Sequence, residues 1–434
     1  MIRTLLLAAA SLSALIDGRV REYVDAGLFS GVVLVARGDR VVYQKAFGFA
    51  DRTFKIPNRI DTKFHIASLS KPITAAAVLM LADRGKLSID DRVSKWVPDF
   101  PNGDRITIEE LLTHYSGLGD ASALPDYNDW SRFPQTPASL VERLAKLPLR
   151  SEPGTTYSYS NSNYHLLALI IEKASGMSYG DFLAQNIFVP LGMTSTAHHR
   201  NDQAIIPDLA NGYMPKGAAD WEKPAYFDWT SKTGNGSLYS TAADLLRFRP
   251  EKLLEPATLA ASYGFDNKNR RVGMFWFHHE VGGHRSVYVN GSSQGFKAHM
   301  ERFIDDGVTI VVLSNVYIGA PTPMANDISS LIFEEKRLPP VPKPVARSAG
   351  ELRRAAGAYK FGPDFYQPNA LVHVEPRDGY LLLRYPSLDV PLTPIANGEY
   401  FDRFYWSFVR FEDGKLIYRN NGDEFTAEAQ SAQR

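Results

Sequence analysis

The sequence predicts an α+β protein: an α/β sandwich, in which an antiparallel sheet is flanked by helices, followed by a small antiparallel β-barrel. Residues 31–44 carry β-branched runs on both sides of a Gly-Asp turn and indicate a hairpin, and strand-like runs return at residues 271–315. The stretch between them, residues 85–230, is mostly helix-like and loop-like. We therefore expect one sheet built from both ends of a module, with a helical region inserted between them.

A proline-rich segment separates this module from the rest of the chain. Residues 337–349 begin Arg-Leu-Pro-Pro-Val-Pro-Lys-Pro and indicate a stiff linker. We expect a first module over residues 16–336 and a β module over residues 350–434. Short strands are predicted in the β module, without a constellation of catalytic side chains, at residues 371–375, 380–385, 404–411 and 415–419.

The N-terminus resembles a short signal peptide. Residues 1–15 combine Arg3 with the apolar run Leu5–Leu12 and small residues near a cleavage point. The alternative is an N-terminal helix that continues through residues 20–24. We favour export, to the periplasm or the medium, because the run is apolar on all faces; without cleavage the protein would be cytoplasmic.

Composition excludes several function classes. The 434 residues include 48 basic and 48 acidic side chains and no cysteine. Without a charge excess there is no electrostatic basis for binding nucleic acid, and no apolar run is long enough to span a bilayer.

Histidines cluster at His278, His279 and His284, but no His-Glu-x-x-His helix is present, so we interpret them as surface or edge residues. We expect no metal and no cofactor.

Ser68-Leu69-Ser70-Lys71 is the first candidate for chemistry. An apolar turn precedes it and a strong helix-forming run, residues 73–82, follows it, so Ser68 lies at or near a helix N-terminus. Pro72 fits such a first turn. A spacing of three places Ser68 and Lys71 on one face, where a desolvated lysine amine can act as base for the serine hydroxyl. Alone, the motif equally fits an N-cap serine beside a surface lysine.

A second segment places Tyr159-Ser160-Asn161 in a loop ahead of a helix-like run that ends near Gly176. A phenol near an ammonium has its pKa lowered and relays protons. Asn161 beside it can orient the lysine and bond a substrate carbonyl. In isolation, this segment also fits a polar loop that caps a helix.

A third segment carries a β-branched run into a Gly/Ser-rich stretch at residues 287–296, then a strand, a hairpin at residues 305–307 and another strand. Gly291-Ser292-Ser293-Gln294-Gly295 also fits Gly-x-Ser-x-Gly, the nucleophile elbow of α/β-hydrolases, with Ser293 as nucleophile. That elbow needs a helix after the serine, and a strand follows here. We therefore prefer the strand and turn.

Together these segments resemble the family of serine β-lactamases, penicillin-binding proteins and related esterases, and its class C β-lactamase branch above all. The resemblance spans roughly residues 20–335 and includes Ile106–Leu118 and Gly234–Ala242. It implies the β-lactamase/transpeptidase-like fold. The C-terminal module is similar to the small lipocalin-like barrel that is appended to some relatives.

The resemblance implies roles for individual residues. Ser68 would be the acylated nucleophile, and Lys71 and Tyr159 would share the acid/base work. Asn161 would position the substrate, and the backbone N–H groups of Ser68 and Ser292 would form the oxyanion hole. Asn290 and Gly291, on the same strand, complete the candidate substrate-binding set.

One departure from the family pattern affects the substrate. Relatives carry Lys-Thr-Gly or His-x-Gly on the strand that lines the site, where this chain has Val289-Asn290-Gly291. Valine neither donates a hydrogen bond nor carries a charge, so recognition of a substrate carboxylate is in doubt. We expect a serine hydrolase acting on a small-molecule ester, amide or lactam, and favour a carboxylesterase for small neutral esters. The alternatives are a D-amino-acid-specific peptidase or weak β-lactamase, and a catalytically silent binding protein.

Overall fold

The computed structural model describes residues 2–430, apart from residues 201–203, 218–219, 266–271, 334–337, 386–387 and 421, and gives only the backbone of residues 2–10. Three predicted boundaries fall outside this part of the chain: Met1, the junction at residues 336 and 337, and the final residues 431–434.

Helices and loops fill most of the region between the two groups of strands, as predicted. In chain order they are α1 Ile2–Asp25, α2 Ser70–Asp83, α3 Val93–Trp96, α4 Ile108–Leu112, α5 Tyr127–Trp130, α6 Pro137–Leu144, α7 Ser162–Ser175, α8 Tyr179–Leu183, α9 Ala242–Arg247, α10 Pro256–Tyr263, α11 Pro321–Phe333 and α12 Ala349–Arg354.

The strands fall into a central sheet, a barrel and three small ladders. In chain order they are β1 Gly31–Arg37, β2 Arg40–Phe47, β3 Phe49–Asp51, β4 Ile56–Pro57, β5 Phe64–His65, β6 Ala197–His198, β7 Met214–Lys216, β8 Asp220–Glu222, β9 Leu238–Ser240, β10 Phe277–Val281, β11 His284–Ser293, β12 Phe296–Phe303, β13 Val308–Ser314, β14 Gly357–Phe361, β15 Leu371–Arg377, β16 Tyr380–Arg384, β17 Asp389–Pro394, β18 Tyr400–Asp402, β19 Ser407–Glu412, β20 Lys415–Asn420 and β21 Asp423–Ala429.

The central sheet joins the two ends of the first module. Within the described residues it has six antiparallel strands in the order β10-β11-β12-β13-β1-β2. β1 pairs with β13 in a register that sets Gly31 opposite Ser314. Strands β1 and β13 are buried on both faces, except for Arg37 at the end of β1, because helices cover the sheet on each side. The predicted sheet built from both ends of the module is confirmed.

Helix α2 positions the first candidate motif inside the core. Its residues Ser70–Leu81 are buried, and it packs against α7 and the turn that precedes it. A helix that is buried on all faces has no amphipathic stripe, which explains the uniformly small and apolar run after Pro72. The first turn of α2 is thereby fixed in place against the sheet.

The C-terminal module is a closed antiparallel barrel of eight described strands, β14–β21. Its interior is filled by packed side chains, among them Tyr359, Leu383 and Tyr418. Sequence analysis predicted four of these strands and missed β14, β17, β18 and β21. The strand predicted to start at Phe404 was wrong at its beginning, because Trp406 has a φ of 58° and the chain turns before β19.

The barrel packs directly on the first module. Trp406 stacks on Tyr23 of α1 with ring centroids 5.5 Å apart, and the Gly319 amide donates to the Arg403 carbonyl at 2.8 Å. Residues 338–348 of the linker form neither helix nor strand, yet Val341 is buried in this shared core. The linker therefore runs along the module interface.

Helix α1 continues through the predicted signal segment to Asp25. From residue 11 onward, its fully buried side chains are Ile16, Val20, Arg19 and Tyr23, whereas Leu15 is 57% exposed. Among the side chains of α1 that the structure describes, Ile16 is the first buried one, and Leu12, within the predicted segment, packs partly buried against the same core. None of the described helices is long and apolar enough to cross a bilayer.

A buried ion pair holds α1 against α11. Arg19 Nε donates to Asp327 Oδ2 at 2.8 Å, and Tyr23 Oη donates to the same oxygen at 2.5 Å. We expect Asp327→Asn to lower the free energy of unfolding by about 3 kcal/mol, because it leaves the buried guanidinium with only the half-exposed Glu22 as a charge partner. Denaturant unfolding measures this loss.

The matched control is Asp61→Asn, which removes an exposed ion pair with Arg59. That change should cost less than about 1 kcal/mol. Equal losses for the two variants would show that the α1–α11 contact contributes nothing beyond an ordinary surface pair.

Candidate active site

The Ser68 turn is a short 3₁₀ segment, Ala67–Leu69, that leads directly into α2. Ala67 has a φ of 48°, in the left-handed region that non-glycine residues rarely occupy. Such a conformation costs on the order of 1–3 kcal/mol and persists only where the surroundings enforce it. The turn presents Ser68, half-buried, to a cleft of about 450 Å³.

Lys71 lies one turn further and is completely buried. Its Nζ is 2.8 Å from Ser68 Oγ, 2.7 Å from Tyr159 Oη and 3.1 Å from the Asn235 carbonyl. Ser68 Oγ and Tyr159 Oη are 3.0 Å apart. The structure thus brings the three predicted residues into one mutually bonded cluster.

Asn161 precedes the first residue of α7 and lies beside the cluster, with its Oδ1 3.4 Å from Tyr159 Oη. Asp120 fixes it from behind: Asp120 Oδ2 accepts from the Asn161 backbone N–H at 2.7 Å and from Asn161 Nδ2 at 3.0 Å. Burial acts to raise the pKa of Asp120, but hydrogen bonds from Ser122 and Asn161 outweigh it and lower the pKa. Sequence analysis missed Asp120, because its partners are distant in the chain.

Burial decides the protonation of the cluster. It lowers the pKa of Lys71 well below 10.5, and the charge of Lys232 lowers it further, against the opposing charge of Asp120. Burial also raises the pKa of Tyr159 above its ordinary value of 10.0. The predicted lowering of the phenol pKa was therefore wrong, because desolvation exceeds any stabilisation by the nearby amine. Both shifts favour a neutral amine beside a protonated phenol.

Aromatic rings surround the Lys71 amine. Its Nζ lies 5.0 Å from the ring centroid of Tyr159, 5.6 Å from that of Tyr164 and 5.3 Å from that of Phe275. Phe275 is held at a φ of 72°, a second strained position at the site. These rings exclude water from the amine, which is the physical source of its lowered pKa.

His114 packs beside the cluster, in the turn after α4. It is 1% exposed and stacks on Tyr159 with ring centroids 4.6 Å apart. Its Nδ1 accepts from the Ser160 backbone N–H at 3.2 Å. The imidazole therefore holds both the ring and the backbone of the Tyr159 loop.

The predicted substrate strand lies against the Ser68 turn. A Cβ on Gly291 would meet the Ile66 carbonyl oxygen at 2.6 Å and Ser68 N at 3.2 Å, so only glycine permits this approach. Neighbouring Asn290 and Ser292 are exposed and line the cleft. Pairing with β10 ends at Tyr288, so that edge of β11 is open beside Ser68.

Val289 points away from the cleft and is fully buried in the core. The charge of the cleft comes instead from Lys232. Among the described residues that line the cleft, no other is an Asp, Glu, Lys, Arg or His. Lys232 bonds Tyr127 Oη, and no described carboxylate pairs with it. It begins a literal Lys-Thr-Gly at residues 232–234, a signal in the sequence that could have identified it.

Two other sets of candidates from the sequence were the Ser293 elbow and the clustered histidines. Ser293 ends β11, and after Gln294-Gly295 the chain enters β12, so the helix that a nucleophile elbow needs is replaced by a strand. The histidines at residues 278–284 lie on β10 and the start of β11. No group of three or more metal-binding side chains occurs within the described part of the chain.

Comparison with known proteins agrees with this geometry. Residues 16–328 match the family model described as Beta-lactamase. Penicillin-binding protein 4* of Bacillus subtilis is 33% identical over 326 residues, which are 66% of this chain and 68% of that protein. Esterase EstB of Burkholderia gladioli is 36% identical over 202 residues, 43% of this chain and half of its own length.

Among solved structures, the octameric penicillin-binding protein homologue from Pyrococcus abyssi superposes with a TM-score of 0.65 at 22% identity. The superposition covers 96% of this chain and 99% of that one, so both modules share its fold. The chain belongs to the β-lactamase family of serine hydrolases.

Proposed function

We propose that the protein is a carboxylesterase that cleaves small neutral esters through an acyl-enzyme on Ser68. The observation that carries this proposal is the cluster of Ser68, Lys71 and Tyr159, whose polar atoms lie within 3.0 Å of one another. The similarity to Esterase EstB supports ester cleavage. We also propose that residues 1–15 are an export signal, since Ile16 is the first buried residue among the side chains of α1 that the structure describes.

The proposed reaction begins at the neutral amine. Lys71 Nζ takes the proton of Ser68 Oγ as this oxygen bonds the ester carbonyl carbon. The carbonyl oxygen becomes an oxyanion between the backbone N–H groups of Ser68 and Ser292, each such donor being worth about 3 kcal/mol of barrier. The C–O bond then breaks, and the proton on Lys71 passes through Tyr159 to the departing alkoxide. Water releases the acid by the same steps in reverse.

The preference for neutral esters follows from the strand beside Ser68. Val289 replaces the basic or hydrogen-bonding residue of relatives and is buried in the core. Without that residue, a carboxylate placed there would lose its hydration uncompensated. Asn161 and Asn290 offer amide groups that bond a neutral carbonyl or alkoxy oxygen without demanding a charge.

Lys232 favours a second candidate function, a D-amino-acid-specific peptidase or weak β-lactamase. Such substrates carry a carboxylate near the scissile bond, and Lys232 is a cation on the cleft wall without an acidic partner among the described residues. It lies on the 3₁₀ segment Trp229–Lys232 rather than on β11. The two candidates therefore differ in whether Lys232 binds substrate or only tunes Lys71.

The nucleophile is tested by two serine variants. We expect Ser68→Ala to abolish labelling by a fluorophosphonate and to reduce kcat on p-nitrophenyl acetate on the order of 10⁴-fold or more. Ser293→Ala, which changes another serine of the same cleft, should retain both. Mass spectrometry locates the adduct, and an adduct on the peptide that contains Ser293 would refute the proposal.

The pH profile tests the protonation of the cluster. Lys71 must be neutral to accept the serine proton, and burial lowers its pKa, which favours the neutral form. We expect kcat/KM to fall only on acidification, as Lys71 becomes protonated. Tyr159 should cause no loss below pH 10, because its pKa is raised. Activity that rises only as the pH approaches 10.5 would show an ordinary, charged lysine.

Substrate choice is tested at Lys232. If the carboxylesterase proposal holds, Lys232→Met should change kcat/KM for p-nitrophenyl acetate and for a cephalosporin by similar factors, through the pKa of Lys71. If the peptidase or lactamase candidate holds, the cephalosporin should lose about tenfold more, the value of one charge-assisted hydrogen bond. Lys415→Met, on the far side of the barrel, is the matched control.

A further inference from the structure

The catalytic cleft does not end at β11. A second cavity of about 790 Å³ lies between the central sheet and the barrel, and Asn290 and Ser292 line both spaces. The open edge of β11 beyond Tyr288 is where they meet. A substrate bonded at Ser68 can therefore extend past this edge into the space that we call the interdomain groove.

The groove contains an ammonium that forms no ion pair with a described residue. An acidic influence on it comes from the buried Asp402, whose pKa burial raises to about 6 while the charge of Lys297 acts against this rise. Lys297 lies opposite Ser292 in the β11–β12 register and is half-buried. Its Nζ is 4.1 Å from the ring centroid of Tyr317 and 5.5 Å from that of Tyr405. No ion pair or hydrogen bond joins Lys297 Nζ to another described residue. A partly desolvated ammonium gains most from an added anionic acceptor.

The fold adds further positive potential at this inner end. Helix α11 begins at Pro321 on the groove, so the positive end of its dipole faces the same space. Acidic side chains lie on the barrel side: Glu399 is paired with Arg419, and Asp423 and Glu424 occupy the rim at the start of β21. An anionic group is therefore favoured beside Lys297 and disfavoured further out.

The barrel wall of the groove is held rigidly. Asp402 accepts from the backbone N–H groups of Phe404 at 2.8 Å and Tyr405 at 3.3 Å, which fixes the turn before β19. Phe404 packs edge-on against Tyr317, whose hydroxyl is 3.0 Å from Ser292 Oγ. The 44% exposed ring of Tyr405 thus stands at a fixed position relative to the strand beside Ser68.

We propose that the interdomain groove binds a remote carboxylate of the substrate, held by Lys297 between Tyr317 and Tyr405, so that the preferred substrates are long esters with an anionic far end. This inference rests on the proposed esterase activity. It is compatible with a neutral scissile ester, because the carboxylate lies in a different cavity from Ser68. It also gives the barrel a direct part in substrate recognition.

The test compares two esters of equal length. Mono-p-nitrophenyl suberate has a free far carboxylate, and its methyl-capped diester does not. We expect kcat/KM to favour the free acid in the full-length protein, and Lys297→Met to reduce that preference about tenfold, the value of one charge-assisted contact. Tyr405→Ala should reduce it in the same direction. Lys415→Met, a lysine on the barrel that is paired with Glu428 instead, should not reduce it.

Other outcomes overturn the inference. An unchanged preference for the free acid in Lys297→Met would show that the groove does not bind the carboxylate. A loss of this preference confined to Lys232→Met would place the carboxylate in the catalytic cleft.

A separate measurement covers failure of the esterase proposal itself. If no ester is turned over, calorimetry with monomethyl suberate and the Ser68→Ala protein still decides the question. Binding that disappears on adding Lys297→Met supports the groove, and binding that is unaffected, or absent from the start, refutes it.

Discussion

The desolvation of Lys71 is the constraint on which the site depends. Its amine lies among aromatic rings at the start of a helix buried on all sides, and this burial lowers the pKa of a group that would be charged in water. The strained turn at Ala67 and the strained Phe275 serve the same arrangement. The cost of a buried lysine is tolerated because the large core of α2, α7 and the sheet holds it in position.

Sequence analysis identified the residues that act through local geometry. Ser68 and Lys71 share a helical turn, and Tyr159 precedes a helix, so local spacing made them candidates and the family resemblance implied their roles. Asp120 and Phe275 were not identified, because their roles come from tertiary contacts that no local sequence pattern records. Lys232 begins a Lys-Thr-Gly triplet, but the family resemblance places this triplet on the strand that became β11, so Lys232 was not identified. The phenol pKa was misjudged because burial cannot be read from a motif.

In the barrel, too, the strands with a local sequence pattern were predicted and those without one were missed. Strands β15, β16 and β20 have runs of alternating or apolar residues and were predicted, whereas β18 has three residues, too few for a periodic signal. The run 404–411 looked uniformly β-like, yet its first residues turn so that Trp406 can stack on Tyr23 and Tyr405 can face the groove. A contact between modules thus overrode the local propensity of the segment.

The pairing of β1 with β13 has a consequence for the timing of activity. Gly31 lies opposite Ser314, and the turn that carries Ser68 packs on β11 and β12 of the same sheet. Contacts so distant in the chain form late, after most of the polypeptide is available. A nascent chain that ends before β11 therefore contains Ser68 and Lys71 but lacks the strands on which their turn packs. The burial of Lys71, and with it the lowered pKa of its amine, depends on contacts that form only when nearly the whole first module has been made.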